Sequence, residues 1–295
     1  MALREYLIEE VALDCAEGLL SRRDAIRRLG LLGVGGAAAA AMIAAVPSSV
    51  SAHTSSTEPP VPDGSTAPLE PGEEITFPGT SGDLFGVFSA ADEPLGAVLV
   101  IHENRGLSPH IRTIPPRLAA DGYSALAIDL ISAEGGTASM PSEDEAMAAL
   151  GAAPEERLIA DLRSGLDELE RRVPDAKLAA IGFCFGGGMT CQLLAAGEPR
   201  LSAAVPFYGP LPDGADFSGS PSAAVLGIYA ELDDRVNGTR DAAEAALTDA
   251  GLVHELLTFE GVDHAFFNDT GQRYDADAAA EAYQAMLDWF AQHLA

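Results

Sequence analysis

Lysine is nearly absent from this chain: Lys177 stands alone, and 17 basic residues face 45 acidic ones for a formal charge of −28. A surface with that balance repels polyphosphates and anionic headgroups, which excludes nucleic acid as a partner and argues against stable attachment to a membrane surface. It also matches the acidic surfaces that keep proteins soluble in concentrated salt. Cysteine is scarce too, with Cys15, Cys184 and Cys191 the full set. If Cys184 and Cys191 share one helix, their Cα atoms lie ~10 Å apart, beyond the ~7 Å a disulfide can bridge, so the fold has no staple. Histidines show no metal-ligand spacing and no glycine loop of the phosphate-binding kind occurs, so neither metal nor other cofactor is expected. No internal repeat is visible. Long apolar runs are also missing, since the stretch from Leu29 to Val46 is diluted by alanine and glycine and barely approaches the ~20 residues of a membrane span.

What the chain does contain is an alternation of short apolar runs and helical patterns. Strands are expected at Glu74–Phe77 and Leu84–Phe88, in the runs ending at Ile101, Leu130, Ile181, Tyr208 and Ala230, and at Glu255–Phe259. Helices are expected at Ile111–Asp121, Pro154–Arg172, Cys184–Ala196, Val236–Ala250 and Ala276–Leu294. Such alternation predicts an α/β fold, a doubly wound, mostly parallel sheet with helices on both faces, spanning residues 73–295 as one domain.

The most informative segment is Gly182-Phe183-Cys184-Phe185-Gly186, which follows the apolar run Leu178–Ile181 and precedes a helical pattern. Glycines on either side of the thiol let neighbouring backbones approach closely, so Cys184 can occupy a strained strand-to-helix bend with its side chain presented outward. A helix N-terminus at that point favours thiolate over thiol, and the Phe185 N–H is the natural first donor to an oxyanion. Nucleophilic acyl chemistry of this kind needs an acid and then a histidine later in the chain. Past the strand ending at Ala230 lies Glu231-Leu232-Asp233-Asp234; Asp233 is the expected acid, with Asp234 and Glu231 open on chemistry alone. His264, in Gly261-Val262-Asp263-His264-Ala265, is the expected base. Cys191 reads as a small core residue.

Taken together, G-F-C-F-G-G, L-D-D-R-V, D-H-A-F-F and the early H-E-N-R-G-L resemble the dienelactone hydrolase family of α/β-hydrolases, also called carboxymethylenebutenolidases, from about Glu73 to the C-terminus. The resemblance implies an α/β-hydrolase fold and a Cys-His-Asp triad at Cys184, His264 and Asp233. It further implies that Glu103 lies beside the resting thiol and helps convert it to thiolate, and that the Asn104 N–H is the second oxyanion donor. The expected activity is cofactor-independent hydrolysis of a small lactone or activated ester; a general carboxylesterase or thioesterase, or a non-catalytic binding protein, are the alternatives. Two arginines that hold the substrate carboxylate in the family are not matched: one position falls in Ile131-Ser132-Ala133-Glu134, and the other is Asn268. Arg105, Arg112 and Arg273 are the candidates to replace them.

Ahead of this domain, Ser21-Arg22-Arg23-Asp24 precedes the weakly apolar stretch and Val50-Ser51-Ala52, a pattern that resembles a twin-arginine export signal over residues 1–52. Cleavage there would release a chain beginning near His53, outside the cytoplasmic membrane; a retained signal would leave it anchored. Residues 53–72, rich in Pro, Ser, Thr and Glu, read as a disordered linker. Residues 1–20, with Ile8, Val11 and Leu19 among acids, read as a short amphipathic lead-in without a role.

Overall fold

The computed structural model describes residues 3–46 and 69–294. The expected cleavage site at Val50–Ala52, and most of the expected linker, lie outside the described residues.

All eight expected strands form one sheet: β1 (Glu73–Gly79), β2 (Gly82–Ser89), β3 (Gly96–Ile101), β4 (Tyr123–Asp129), β5 (Leu178–Phe183), β6 (Leu201–Phe207), β7 (Ala224–Ala230) and β8 (His254–Phe259). Their order is β1-β2-β4-β3-β5-β6-β7-β8. The β1–β2 and β2–β4 pairings are antiparallel and all others are parallel. The central strands are buried along their whole length, which is why Ala97–Ile101, Leu178–Ile181 and Ala223–Ala230 read as continuous apolar runs and not as alternating ones. With helices covering both faces, this is the α/β-hydrolase architecture.

The helices are α1 (Leu3–Ala16), α2 (Arg22–Leu31), α3 (Gly36–Ala45), α4 (Pro109–Arg112), α5 (Ile114–Ala120), α6 (Glu143–Ala152), α7 (Glu155–Arg172), α8 (Phe185–Ala195), α9 (Asp234–Asn237), α10 (Arg240–Asp249) and α11 (Ala276–His293). The expected helix at Ile111–Asp121 is two, α4 and α5. Pro115 and Pro116 lack the N–H groups that a continuous helix would use there, and they sit instead in the first turn of α5, where none is needed. Likewise Val236–Ala250 divides into α9 and α10 around Gly238 and Thr239.

The N-terminal region departs most from expectation. Residues 3–46 are three helices packed onto the hydrolase domain, with Tyr6, Leu7, Val11, Leu29, Leu32 and Ala39 buried in the common core. Their attachment is also polar. Arg27 and Arg28 reach the buried Asp144 of α6 at 2.6 and 2.7 Å, and Arg273 binds Asp14 at 2.9 Å and also Glu17. The buried face of α1 carries Tyr6, Leu7, Glu10 and Val11, with Ile8 partly buried against the core; of the expected Ile8, Val11 and Leu19, only Leu19 lies beyond the helix. The weakly apolar stretch is broken into α2 and α3, and among the described residues no helix is long and apolar enough to cross a membrane.

Candidate active site

Cys184 sits where β5 turns into α8, at φ 57° and ψ −115°. A non-glycine residue in the left-handed region costs about 1–3 kcal/mol and persists only where the surroundings impose it. Here they do. A Cβ on Gly182 would strike the Gly186 carbonyl, and one on Gly186 would strike the carbonyls of Ile101 and His102, so both glycines exist to let β3, β5 and the first turn of α8 touch through their backbones. Cys184 N–H donates to the Phe207 carbonyl at 3.0 Å, fixing the bend against β6. Phe185 begins α8, and its N–H belongs to the first turn, which has no intrahelical acceptor.

His264 and Asp233 arrive from the loops after β8 and β7. Asp233 Oδ2 accepts from His264 Nδ1 at 2.5 Å while its Oδ1 accepts from the Val236 N–H at 3.1 Å, capping α9. Both residues are buried. The neighbouring acids are differently employed: Glu231 is exposed and accepts from the Gly261 N–H at 2.7 Å, and Asp234 is exposed in the first turn of α9. Burial alone would raise the Asp233 carboxyl, yet the His264 charge and hydrogen bond, Arg235 and the Val236 N–H hold it below the usual value. Burial opposes an imidazolium at His264, but Asp233 outweighs it and the ring is pushed well above its ordinary value. Tyr208, the first residue after β6, stands edge-on to that ring at 5.0 Å between centroids.

Glu103 follows β3 and is buried, with Oε2 accepting from Asn268 Nδ2 at 2.6 Å and Oε1 lacking a partner among the described residues. Burial raises its carboxyl, against the opposing influence of His110, Arg105, Asn268 and His264. The loop carrying it is held by His102, whose Nε2 accepts from the Leu130 N–H at 3.1 Å; its Nδ1 therefore donates to the Glu103 carbonyl, at 2.6 Å. Asn268 occupies the position where the family resemblance anticipates an arginine, and its carboxamide is committed to Glu103. Of the replacement candidates, Arg105 and Arg273 line the cavity beside Cys184, while Arg112 is paired with Glu74 at 2.7 Å.

Cys184 and Cys191 are both unpaired. Burial pushes the Cys191 thiol up to about 12. Burial, then the Glu10 carboxylate, raise the Cys184 thiol above its ordinary value against the opposing influence of His264, and Glu103 adds to the rise. A helix N-terminus cannot offset that much desolvation together with two nearby carboxylates.

The site residues that sequence reasoning missed are on α1. The Tyr6 hydroxyl lies 3.2 Å from Cys184 Sγ and 3.4 Å from His264 Nε2. Glu10 places Oε1 and Oε2 at 3.5 and 3.7 Å from Sγ, and Oε1 accepts from Asn104 Nδ2 at 2.8 Å. Arg235 lies over the Tyr6 ring, 4.1 Å from its centroid. Ligand atoms of Glu10, Cys184 and His264 come within 4.8 Å of one another, a grouping able to hold a metal ion, although Tyr6 and Asn104 already engage those atoms. A signal existed: Tyr6, Leu7, Glu10 and Val11 repeat at helical spacing, and a carboxylate inside such a stripe must have a buried partner.

Comparison with known proteins places the chain in a family. A protein of Escherichia coli O157:H7 that carries the name carboxymethylenebutenolidase is 34% identical over 215 residues, covering 69% of this chain and 79% of its own. One of Yersinia pestis with the same name is 32% identical over 239 residues, covering 75% and 88%. Among solved structures, a dienelactone hydrolase by name from Klebsiella pneumoniae superposes with a TM-score of 0.64 at 31% identity, over 75% of this chain and 98% of that one. A dienelactone hydrolase-like promiscuous phosphotriesterase from metagenomic libraries gives 0.65 at 26% identity, over 77% and 100%. The sequence profile of the Dienelactone hydrolase family matches residues 86–294, the segment that supplies β3 to β8, the elbow and both later loops, and the chain belongs to that family.

Proposed function

We propose that this protein hydrolyses lactones or activated esters without a cofactor, using Cys184 as nucleophile, His264 as base and Asp233 to orient it. The observation that carries the reading is the convergence of the elbow thiol, a ring nitrogen of His264 within 4.8 Å of it, and Asp233 at 2.5 Å from the other side of the ring. In the acylation step His264 takes the thiol proton as Sγ attacks the carbonyl carbon, and the N–H groups of Phe185 and Asn104 receive the developing oxyanion. Collapse expels the alcohol or enol oxygen, which takes the proton from His264. Water then attacks the thioester with His264 again as base, releasing the acid and the free thiol. Glu103, short of one partner and raised by burial, can exchange a proton with the thiol when substrate displaces its neighbours. Because thiolate is a good leaving group, activated acyl groups suit the site and amides do not.

Asn268 in place of an arginine removes one cation from the family's carboxylate clamp, which favours small uncharged esters and lactones, or thioesters, over a dicarboxylate-like lactone. A panel of aryl esters, enol lactones and acyl thioesters tests this. Cys184→Ala, made in a Glu10→Ala background that uncovers the thiol, should abolish turnover, by about 10⁴-fold or more, with the fold retained; full activity in that variant would place the chemistry elsewhere.

Export is also proposed, on the pattern Ser21-Arg22-Arg23-Asp24 and the weakly apolar stretch that follows. Arg22→Lys with Arg23→Lys should retain the precursor in the cytoplasm, read by fractionation; unchanged export would reject it.

A further inference from the structure

Helix α1 lies where a substrate has to be. Cys184 Sγ is touched by the Tyr6 hydroxyl and by both oxygens of Glu10, and the Asn104 carboxamide beside the proposed oxyanion position donates to Glu10 as well. His264 Nε2, the atom that must take the thiol proton, faces Tyr6. The cavity left at the nucleophile is about 110 Å³ and is walled in part by Glu10, Asp14, Leu19 and Leu20 of the N-terminal region. Small-molecule sites enclose about 300–1,000 Å³, so this space accepts a few waters and no lactone or ester of ordinary size.

The contacts of α1 are those of a docked ligand as well as of a packed helix. Tyr6 and Leu7 are fully buried. Acids of α1 and the turn after it meet basic groups of the hydrolase domain: Asp14 and Glu17 sit on Arg273. Arg235 turns one guanidinium nitrogen to the Tyr6 hydroxyl at 3.4 Å, and two others are buried without an acceptor among the described residues. A carboxylate at Sγ also opposes formation of the very thiolate that the reaction needs.

We propose that residues 3–16 are a built-in competitive inhibitor of this site, with Tyr6 and Glu10 filling the acyl position against Cys184, so that the full-length chain is latent and becomes active when this helix leaves. The proposal rests on the reading of Cys184 as the nucleophile. Displacement is compatible with the architecture, because the family's sequence profile matches from residue 86 onward and includes none of α1 to α3. Cutting the chain between residues 46 and 69 would turn an intramolecular inhibitor into a separate one and remove its effective concentration. Under the export proposal, the hydrolase would be silent until the N-terminal region is removed outside the cytoplasm.

The test uses the full-length chain with Glu10→Ala, Tyr6→Ala and, on α6, Asp144→Asn, which removes the negative charge that Arg27 and Arg28 share. Two readouts are taken: iodoacetamide alkylation of Cys184 followed by mass spectrometry across pH, and hydrolysis of p-nitrophenyl acetate. Both should rise roughly tenfold or more in each variant, since each loses a charge-assisted or buried contact that holds the closed state. In Glu10→Ala the alkylation midpoint should also move to lower pH. Faster alkylation without ester hydrolysis would uphold the inhibitor and reject the hydrolase reading. Hydrolysis that falls, or alkylation unchanged in all three variants, would overturn the proposal and make α1 a working wall of the site or a bystander.

Discussion

Gly186→Ala should destabilise the protein by about 3 kcal/mol or more, an overpacking cost at the upper end of the usual range because the obstruction is backbone. The added methyl would meet the carbonyl oxygens of Ile101 and His102, which belong to the end of β3 and the start of the Glu103 loop and cannot rotate away as a side chain would. Gly182→Ala meets the Gly186 carbonyl and Thr190 in the same manner. For a described chain of this size, that cost lowers the melting midpoint by roughly 6–12 °C. Activity should fall further than stability, because separating β3 from α8 moves Asn104 away from Phe185 and opens the proposed oxyanion position. Gly214→Ala is the comparison: it has positive φ, at 65°, which Gly186 does not, but nothing lies within 4 Å of the added carbon. It should cost about 1 kcal/mol, the ordinary left-handed penalty. Calorimetry, and p-nitrophenyl acetate turnover in the Glu10→Ala background, check both; a Gly186→Ala protein melting with Gly214→Ala would mean that the elbow is not packed as described.

The same crowding explains why so much was legible in the sequence. Strands buried on both faces must be apolar throughout, and short apolar runs bounded by turn residues therefore located β3 to β7, while β1 and β8, partly exposed, show alternation instead. The elbow was legible because close backbone approach leaves glycine at fixed offsets from the thiol. Chain order then narrowed the acid to Glu231, Asp233 or Asp234, and only burial separates them: Asp233 lies under the imidazole while the other two face solvent. Helix α6 was overlooked although Ser142 accepts from the Glu145 N–H at 3.4 Å, the capping arrangement that the spacing Ser142-x-x-Glu145 signals. The buried stripe that carries Tyr6 and Glu10 had a signal in the sequence, but their partner did not. They meet Cys184 across 178 and 174 residues of chain, a pairing that no local periodicity encodes. Moreover, an alanine-rich stretch behind paired arginines has the composition of an export signal whether or not it also packs, and composition cannot distinguish the two uses.

Asp233→Asn should lower kcat/KM by about 10³–10⁴ while leaving the fold in place. The carboxylate has two tasks, and asparagine can perform one of them. Its carbonyl oxygen can still accept from the Val236 N–H and cap α9, so the loop after β7 keeps its shape. Toward His264, however, the amide presents N–H, and two donors cannot share the 2.5 Å contact. The imidazole must then leave Nδ1 unprotonated and carry its proton on Nε2, the nitrogen that should receive a proton from Cys184. The base is lost though every heavy atom remains. Charge follows the same logic: burial disfavours the imidazolium and Asp233 is what overrides it, so the His264 pKa should drop in the variant, an NMR-measurable shift. Stability gives an independent check with a defined sign. Asp233 has a folded pKa below its unfolded value, so the stabilisation it contributes is present above the unfolded pKa and is lost as pH falls through the folded one. The wild-type protein should therefore lose stability relative to Asp233→Asn on acidification through that window below about pH 3.9, and the two melting curves should converge. In the Glu10→Ala background, where the site is open to substrate, the Asp233→Asn loss in turnover should be read in full; retention of more than about a tenth of the activity there would remove Asp233 from the proposed mechanism.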